Sequence, residues 1–417
     1  MFFKIFSQLS VSPQDIEQLH IAFQIRSRKA DFMEKKTVLM ISPTFLPVIG
    51  GSEIYSYDLC EYLSGRGHRV YLIACTTPLK GKYRLVERRE NLCIRRIPCL
   101  NRKLLEKTAG HPIIYPFLVV PPLLFYSLFF LLRHRNEVDV IHAQSVSAGL
   151  VVALLAAIFK KRSLVTTHGK YLSDNPYHLQ YNKYAKFIRW VLGRFDRILA
   201  INEQSRDELV QIGIGADRIV IAPHWVDQQT FRPADKEASK AEVGWQGKFV
   251  VLFAGRFVED KGINQIIAAA KAINRDVIFA FAGTGPLDEM IANAAKDEPD
   301  ILYLGRVDNE QMPIYYNAAD LILVPSRHAG DGIPRVIIEA FSCGTPVIGA
   351  NRGGIPGVVT SSVGLIIEPT TEEINRAIEV LFDDRSKLEN LTANCRRYAE
   401  SRFSIRNAEI VEVSYYG

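Results

Sequence analysis

The residues from 321 to 350 constrain the fold of this chain more than any other stretch of the sequence. The stretch opens with the apolar run Leu321–Val324, which is typical of a buried strand, and continues into a loop that contains two glycines. Pro334 then stands where helices tend to begin, and Gly344 stands where one tends to end. Val347 begins a second apolar run. The order strand, glycine loop, helix, strand predicts a parallel α/β sheet.

Two carboxylates accompany this predicted helix. Asp331 lies just before it, and Glu339 lies within it, eight residues later. At a rise of ~1.5 Å per residue they are about 10 Å apart along the axis, which is too far to share a proton but suits an elongated ligand. The amides at the helix N-terminus favour a negatively charged ligand in the same space. The alternative is a helix cap at Asp331 and a solvated Glu339.

The first half of the chain repeats the rhythm of strand and helix. Gly50 and Gly51 stand between a strand and a helix, where paired glycines let the backbone approach a phosphate closely. The apolar run Leu164–Thr167 delivers His168 at its carboxyl end. Ligands of open α/β sheets bind off that end, so we expect a functional role for His168, with a packing role as the alternative.

The second half restarts the rhythm with the strand Phe249–Phe253. Arg256 and Lys261 follow it, five residues apart, and two fixed cations at a strand end suit a diphosphate. Solvated surface charges are the alternative. The later loop 283–286 is neither a P-loop nor a dinucleotide-binding fingerprint, which argues against ATPase or dehydrogenase chemistry.

The run from Asp331 to Val347 has the pattern acidic-Gly-x-Pro-x-x-x-x-Glu-Ala-x-x-x-Gly-x-Pro-Val. It resembles the donor-site signature of the retaining glycosyltransferases of family 4, and the resemblance extends over about residues 36–410. It implies that Glu339 holds the ribose of a nucleotide-sugar and that Asp331 contacts the sugar. The first acidic position is usually Glu in that family, so Asp331 is one methylene shorter.

The resemblance assigns roles to further residues of this chain. In the resembled family, the residue that matches His168 contacts the donor sugar, and the loop that matches Gly50-Gly51 faces the donor diphosphate. The residues that match those around Val307 pass across the nucleotide base. Arg256 and Lys261 would neutralise the leaving diphosphate in place of a metal ion. Two loops depart from the family pattern: Pro223-His224-Trp225-Val226-Asp227 replaces the usual Pro-Asn-Gly-Val-Asp, and no Glu stands near Gly357.

The resemblance also implies an α/β protein of the GT-B type, with two Rossmann-like domains facing a central cleft. We expect an acceptor-side domain over residues 36–217 and a nucleotide-sugar-binding domain over 218–403. Residues 404–417 would cross back to the first domain. Residues 1–35 have no signal-peptide pattern. They would be an N-terminal extension, either an added helix or the product of an upstream start codon.

The net charge of +6 is concentrated in one place. Residues 80–107 hold ten Lys or Arg against three Glu, which suggests an anionic partner such as a membrane surface or a polyanionic acceptor, with a solvated loop as the alternative. Nothing indicates binding of nucleic acid. The six cysteines have no metal-site spacing and no Asp-x-Asp motif is placed to hold Mg²⁺, so we predict no metal site and structural, reduced cysteines.

The run 113–132 is almost entirely apolar and long enough to span a bilayer. Three prolines interrupt it and would remove helical hydrogen bonds in hydrocarbon. We therefore expect a buried or interfacial element of the acceptor side. Peripheral membrane contact through residues 80–135 and a true membrane span are the alternatives.

The sequence as a whole predicts a retaining, metal-independent hexosyltransferase that moves a sugar from a UDP- or GDP-linked donor to an acceptor hydroxyl. The acceptor would be a lipid-linked glycan, a phospholipid or a cell-surface polysaccharide precursor. No cofactor besides the donor substrate is expected, and the protein would be cytoplasmic, peripheral on the inner face of the membrane. The alternatives are a nucleotide-sugar epimerase of the GT-B type and a non-catalytic subunit of a glycan assembly.

Overall fold

The structure is a computed structural model that describes residues 34–47, 50–76, 83–98, 114–168, 182–327 and 332–416. Most of the predicted N-terminal extension, and Asp331 with it, lie outside the described residues. Strands and helices alternate over most of the described chain, and the strands form two separate sheets, as the apolar runs of the sequence predict.

The first sheet has eight strands in the order β3-β4-β2-β1-β5-β6-β7-β8. Its strands are β1 (Thr37–Thr44), β2 (Arg69–Thr76), β3 (Val86–Arg88), β4 (Leu92–Pro98), β5 (Val140–Gln144), β6 (Arg162–Thr167), β7 (Arg197–Ala200) and β8 (Ile219–Ile221). β1 pairs in parallel with both β2 and β5, while the short β3 pairs antiparallel with β4. The strand order therefore reverses between β1 and β5, where open α/β sheets bind ligands.

The second sheet has six strands in the order β11-β10-β9-β12-β13-β14, and its strands pair in parallel. They are β9 (Phe249–Ala254), β10 (Val277–Ala282), β11 (Ile301–Gly305), β12 (Leu321–Val324), β13 (Val347–Ala350) and β14 (Gly364–Ile367). Alternate residues of β9 belong to two different apolar cores, Phe249 and Val251 to one and Val250 and Leu252 to the other. Both faces of this sheet are therefore covered, as expected of a doubly wound parallel sheet.

Helices connect these strands. They are α1 (Gly51–Gly65), α2 (Ile114–His134), α3 (Val146–Phe159), α4 (Asn182–Leu192), α5 (Glu203–Gln211), α6 (Lys236–Val243), α7 (Ile263–Ala272), α8 (Asp288–Asp297), α9 (Met312–Ala318), α10 (Arg335–Ser342), α11 (Thr371–Asp383), α12 (Arg385–Arg402) and α13 (Arg406–Val413). Short 3-10 turns cover Ala216–Arg218 and Glu259–Lys261.

The chain divides into two compact units. The first contains residues up to Val48, residues 56–164 and residues from Ala408 onward; the second contains residues 49–55 and 165–407. The domain limits predicted from the sequence remain a prediction.

Residues of the last helix complete the interior of the first unit. The Glu412 carboxylate is fully buried, accepts a hydrogen bond from Tyr62 at 2.7 Å and lies 2.8 Å from His68 Nε2. The amide of Lys36 donates to His68 Nδ1 at 3.0 Å, so the proton of that ring is on Nε2 and points at Glu412. Tyr415 is buried in the same way, 2.9 Å from His142 Nδ1. Both of these histidines are therefore accounted for by packing.

The apolar run 113–132 forms most of α2, which is continuous through Pro121 and Pro122. One side of it, with Val119 and Leu123, is buried and contacts β1, β2 and α3. The other side carries large apolar side chains into solvent. By length and composition, this helix is the described segment that is able to cross a membrane.

The basic run is partly occupied with internal contacts. Arg96 is buried, donates to the carbonyls of Leu46 and Arg84 and pairs with Glu87 at 3.1 Å. Arg89 pairs with Glu61 and Glu87. The run is therefore less available to an anionic partner than its sequence suggests, within the part that the structure describes.

Candidate active site

The predicted cations lie where the strand order of the second sheet reverses. β9 and β12 are neighbours, and the loops that leave their carboxyl ends run in contact. The amide of Arg327 donates to the carbonyl of Asp260 at 2.7 Å, and a Cβ on Gly262 would lie 2.5 Å from the Pro325 carbonyl oxygen. Gly262 has φ +77°, so a side chain there is excluded both by backbone conformation and by space.

Arg256 and Lys261 both belong to the loop after β9. Arg256 is exposed, and Lys261 is partly exposed at the end of a 3-10 turn. Gly255 and Gly283 bring the ends of β9 and β10 so close that a Cβ on Gly283 would collide with the Gly255 carbonyl. The Gly283 amide donates to the Gly305 carbonyl at 2.8 Å, which aligns the end of β11 beside them. Val307 follows as a partly buried residue packed on the core.

Glu339 is buried, not solvated. It lies one turn inside α10, with the side chain 5% exposed, and both carboxylate oxygens have partners. Arg335 Nε donates to Oε1 at 2.7 Å and the Tyr316 hydroxyl donates to Oε2 at 2.8 Å. Burial, and then the nearby carboxylate, raise the pKa of Tyr316 well above its ordinary value, so its hydroxyl stays protonated as a donor. The carboxylate is thus held in one orientation, with lone pairs left for a further donor.

His168 lies directly after β6, at the position that the sequence predicts. Its Nδ1 is 3.3 Å from Nε2 of His224, and both rings pack against Tyr55. Burial lowers the pKa of His168 to about 4, and burial, His168 and Arg335 together lower the pKa of His224 well below its ordinary value. Both rings are therefore neutral at pH 7.

The loop of the acidic motif runs against His168. A Cβ on Gly332 would lie 2.7 Å from the His168 carbonyl oxygen, and a Cβ on Gly354 would lie 2.9 Å from the Gly332 carbonyl. Glycine at both positions lets three stretches of backbone meet there. Asp331, the next residue before Gly332, is not among the described residues, so its predicted contact with the sugar stays a prediction.

Gly50 and Gly51 mark the start of α1. The Gly50 carbonyl accepts from the Ile54 amide at 3.1 Å, and the Glu53 carboxylate folds back so closely that a Cβ on Gly50 would collide with it. Gly51 has open space around it. The turn is therefore tight at the first glycine and accessible at the second, which is the arrangement a backbone phosphate contact needs.

Four residues to which the sequence assigns no role belong to these contacts: Tyr55, His224, Tyr316 and Arg335. Two of them carry a signal in the sequence: Arg335 stands four residues before Glu339 on a predicted helix, and His224 departs from the family pattern. Tyr55, His224 and Tyr316 meet their partners across separations of 23 to 169 residues, which no local pattern reveals.

Two family profiles match this chain over most of its length. Residues 49–230 match "Glycosyltransferase Family 4", and residues 235–402 match "Glycosyl transferases group 1". The boundary between the two matches lies in the charged segment that separates the β8 and β9 strands.

Similar curated proteins carry transferase names. D-inositol 3-phosphate glycosyltransferase 1 of Catenulispora acidiphila is 30% identical over 294 residues, covering 64% of this chain and 70% of the relative. Alpha-D-kanosaminyltransferase of Streptomyces kanamyceticus is 27% identical, covering 84% and 95%. The GPI3 subunit of phosphatidylinositol N-acetylglucosaminyltransferase from Saccharomyces cerevisiae is 23% identical, covering 82% and 75%.

Solved structures share the fold. Sucrose-phosphate synthase from Thermosynechococcus elongatus has a TM-score of 0.76 at 21% identity, covering 92% of this chain and 98% of that chain. HepE of Anabaena, in complex with UDP-glucose, has a TM-score of 0.68 at 20% identity, covering 90% and 99%. The two profiles, the matching relatives and these structures agree with the two parallel sheets, and the chain belongs to glycosyltransferase family 4 and has the GT-B fold.

Proposed function

We propose that this glycosyltransferase moves a sugar from a nucleotide-diphosphate sugar to an acceptor hydroxyl with retention of the anomeric configuration and without a metal ion. The observation that carries the proposal is the loop after β9, which presents Arg256 and Lys261 at the switch point of the second sheet. Two cations at a strand end are placed to stabilise negative charge as it develops on a leaving diphosphate. Arg256 and Lys261 would neutralise the charge that a metal ion neutralises in other transferases.

Glu339 would orient the nucleotide. Its carboxylate is fixed by Arg335 and Tyr316, so little side-chain entropy remains to be lost when it accepts hydrogen bonds from the two ribose hydroxyls. The residues around Val307 would cover the base, and Gly51 would let the backbone close over the phosphates. His168 and Asp331 would contact the sugar.

The donor would be a UDP- or GDP-sugar. One similar structure is a complex with UDP-glucose, which favours UDP, and the relatives' names differ in the sugar they transfer. The test is to incubate the protein with a panel of UDP- and GDP-sugars, with and without acceptor, and to follow nucleoside diphosphate release and the anomeric configuration of the product by NMR. Conversion of a donor without acceptor would indicate the epimerase, an inverted product would exclude retention, and no turnover with any donor would favour the non-catalytic subunit.

The acceptor would be a lipid-linked glycan or a phospholipid at the inner surface of a membrane. The support is the outer face of α2, where Phe117, Phe125, Phe129 and Leu132 are 61–75% exposed. Their spacing of three, four and eight residues places them on one side of the helix. Burying one such side chain contributes about 1.5–3 kcal/mol, so four of them together favour an apolar environment strongly.

Basic residues border this apolar face. α3 packs beside α2 and adds the exposed Ile158. Each helix leads into a strand of the first sheet, and each has a basic group at its C-terminal end: Arg133 in the last turn of α2 with Arg135 just beyond it, and Lys160 and Lys161 after α3. The basic groups therefore lie along the edge where the strands begin, and each contributes about 1 kcal/mol near an anionic bilayer.

The inner side of α2 argues for lying on a membrane and against crossing it. Val119, Leu123 and Leu131 are fully buried against the sheet, so a spanning helix would have to leave the core of the first unit. We infer that the protein lies peripherally on an anionic surface, with α2 at the level of the headgroups.

Sedimentation with vesicles tests this inference. Wild-type protein should bind vesicles that contain phosphatidylglycerol, bind pure phosphatidylcholine more weakly, and release at high salt. The variant Phe125→Ser/Phe129→Ser should lose most of this binding, whereas the control Val210→Ser/Val380→Ser, at residues 43% and 39% exposed in the second unit, should not. Equal binding by both variants would show that α2 does not contact the membrane. If wild type is instead a dimer and the first variant disrupts it, the outer face of α2 contacts a second copy of the chain.

A further inference from the structure

The loop after β8 departs from the family pattern at two adjacent residues, His224 and Trp225, where Asn and Gly are usual. Both are buried, at 6% and 2% exposure. Two large rings in place of two small residues require a space that the rest of the chain provides. The structure shows where that space is and what the rings contact.

His224, Trp225 and His168 surround one aromatic ring. The centroid of Tyr55 lies 5.0 Å from that of His168, 4.7 Å from that of His224 and 4.8 Å from that of Trp225. The contacts with His168 and Trp225 are edge-on, the favoured geometry for aromatic pairs. Tyr55 comes from the first turns of α1, close to Gly51, so the cluster joins the glycine loop to the end of β6.

The backbone of this loop is anchored independently of its rings. Asn407 Nδ2 donates to the carbonyl of His224 at 3.1 Å and to that of Arg402 at 2.7 Å. The Val226 amide donates to the Phe403 carbonyl at 3.3 Å. Since the main chain on either side is fixed, the His224 ring has a defined position from which to act on its neighbour.

The His224 ring makes a polar contact with His168. Nε2 of His224 is 3.3 Å from Nδ1 of His168, at the long end of hydrogen-bonding distance. A neutral imidazole has one donor and one acceptor nitrogen, so a hydrogen bond at Nδ1 decides the role of Nε2. The contact restrains the orientation of the His168 ring, and it couples the two tautomers: if His224 donates, the His168 proton is on Nε2, and if His168 donates, its Nε2 is an acceptor.

We propose that His224 is a positioning residue for His168: it holds the His168 ring in one orientation and one tautomer so that Nε2 meets the donor sugar in a defined hydrogen-bonding state. The proposal rests on the proposed function for the role of His168 toward the sugar. It also accounts for the departure from the family pattern, because the shorter Asn at this position reaches less far toward His168.

A double-mutant cycle tests whether His224 acts through His168. His224→Phe keeps the ring and removes its nitrogens, and we expect it to lower kcat about tenfold with a KM for the donor within about twofold, as expected for a lost interaction made in the transition state. His224→Asn, whose shorter amide reaches less far toward His168, should recover little of that loss. In the His168→Ala background, His224→Phe should have no further effect.

Two kinetic results would overturn the proposal. One is an unchanged kcat in His224→Phe. The other is the same loss from His224→Phe in the presence and in the absence of the His168 ring, which would indicate a structural effect on the fold. Thermal melting of each variant, compared with that of wild type, shows that all are folded before they are assayed.

Nitrogen NMR gives a readout that needs no activity. With ¹⁵N-labelled histidine, we expect His168 to show a single neutral tautomer at pH 7 in wild type and a mixture of tautomers in His224→Phe. An unchanged His168 spectrum in that variant would sink the proposal. If no sugar transfer is found with any donor, this spectrum still decides whether the pairing exists, so failure of the proposed function and failure of the pairing are distinguishable.

Discussion

Six strands of the first sheet, β4-β2-β1-β5-β6-β7, follow one another in the same order as the six strands of the second, but the two sheets differ in what their surroundings leave exposed. In the second sheet, alternate residues of β9 enter two separate cores and the charged groups collect in loops at the strand ends. In the first sheet, α2 covers the strands with one side and presents Phe117 and Phe125 to solvent with the other. The stability of the shared fold depends on the buried faces of its sheets and helices. The strand-end loops of the second unit and the outer face of α2 in the first unit can therefore differ between proteins of this fold and determine function.

The two units also differ in where their charged groups lie. In the second unit the cations Arg256 and Lys261 are at least partly exposed, but other groups of the site are buried in pairs, as Glu339 is with Arg335 and His168 is with His224. In the first unit the basic groups that follow α2 and α3 are at the surface. Buried pairs are sensitive to the loss of one partner, whereas exposed charges act collectively and are screened by salt. Four predictions test this contrast, and they are ordered by expected effect.

The largest effect is expected for Lys261→Ala. Removing one fixed charge that stabilises the leaving diphosphate should lower kcat by about 100-fold to 1000-fold, the usual loss for one electrostatic group of a transition state. The measurement is donor turnover under saturating donor. Lys271→Ala, at an exposed lysine on the following helix, is the matched control and should turn over normally. Undiminished turnover by Lys261→Ala would remove that residue from the diphosphate site.

Glu339→Ala should strongly destabilise the folded state. It leaves the Arg335 guanidinium and the Tyr316 hydroxyl buried without their partner, a loss of about 3–5 kcal/mol for a buried pair. We expect the melting temperature to fall by about 10 °C. Glu373→Ala breaks an ion pair with Arg376 that is largely exposed, and should change stability by less than about 1 kcal/mol. Equal melting temperatures for the two variants would contradict the buried pairing.

Acid should weaken the folded state through the histidine pair. Because the pKa of His168 is lowered from 6.5 to about 4 by burial, the unfolded chain binds a proton in this window that the folded chain does not. Stability therefore falls as pH is lowered through the window, by about 2 kcal/mol between pH 7 and pH 5, and His224 acts in the same direction.

Urea unfolding at pH 7, 6 and 5 measures this dependence. His168→Gln/His224→Asn removes both imidazoles and should flatten the curve over the same range. A wild-type protein that is as stable at pH 5 as at pH 7 would show that the rings are not held neutral.

The smallest effect is expected on the outer face of α2. Phe129 is 66% exposed, so Phe129→Ala should change the free energy of unfolding by less than about 0.5 kcal/mol. Its neighbour Phe130 is 5% exposed, contacts Tyr71 and lies under the Arg95 guanidinium, so Phe130→Ala should cost about 3–5 kcal/mol. Similar losses at both positions would mean that the outer face is covered in solution.

Much of the fold follows from the sequence alone. Apolar runs such as Leu321–Val324 and Phe249–Phe253 predict their strands, because strands buried on both faces must be apolar throughout. Glycines such as Gly262 predict the close approach of loops at the strand ends. The positions of Arg256, Lys261 and His168 after strands are likewise read from local pattern, since a strand and the loop that follows it are contiguous in the chain.

The partners of the site residues do not follow from the sequence. Whether Glu339 is solvated or buried depends on Tyr316, which is 23 residues away, and the account of His224 depends on His168 and on Tyr55. Such contacts are set by how helices and loops pack, which a single sequence does not encode in any local period. The continuity of α2 through its prolines has the same origin, because packing against the sheet stabilises a helix that composition alone would interrupt.

The burial of Glu412 and Tyr415 in the first unit also sets an order of events during synthesis. His142 leaves the ribosome 273 residues before Tyr415, the residue that it contacts. At a translation rate of about 5–20 residues per second, Tyr415 is synthesised roughly 14 to 55 s after His142. During this interval residues 165–407 of the second unit are translated, so the unit whose synthesis begins first is the last to be completed. A nascent chain arrested short of residue 408 therefore exposes an unfinished interior to chaperones.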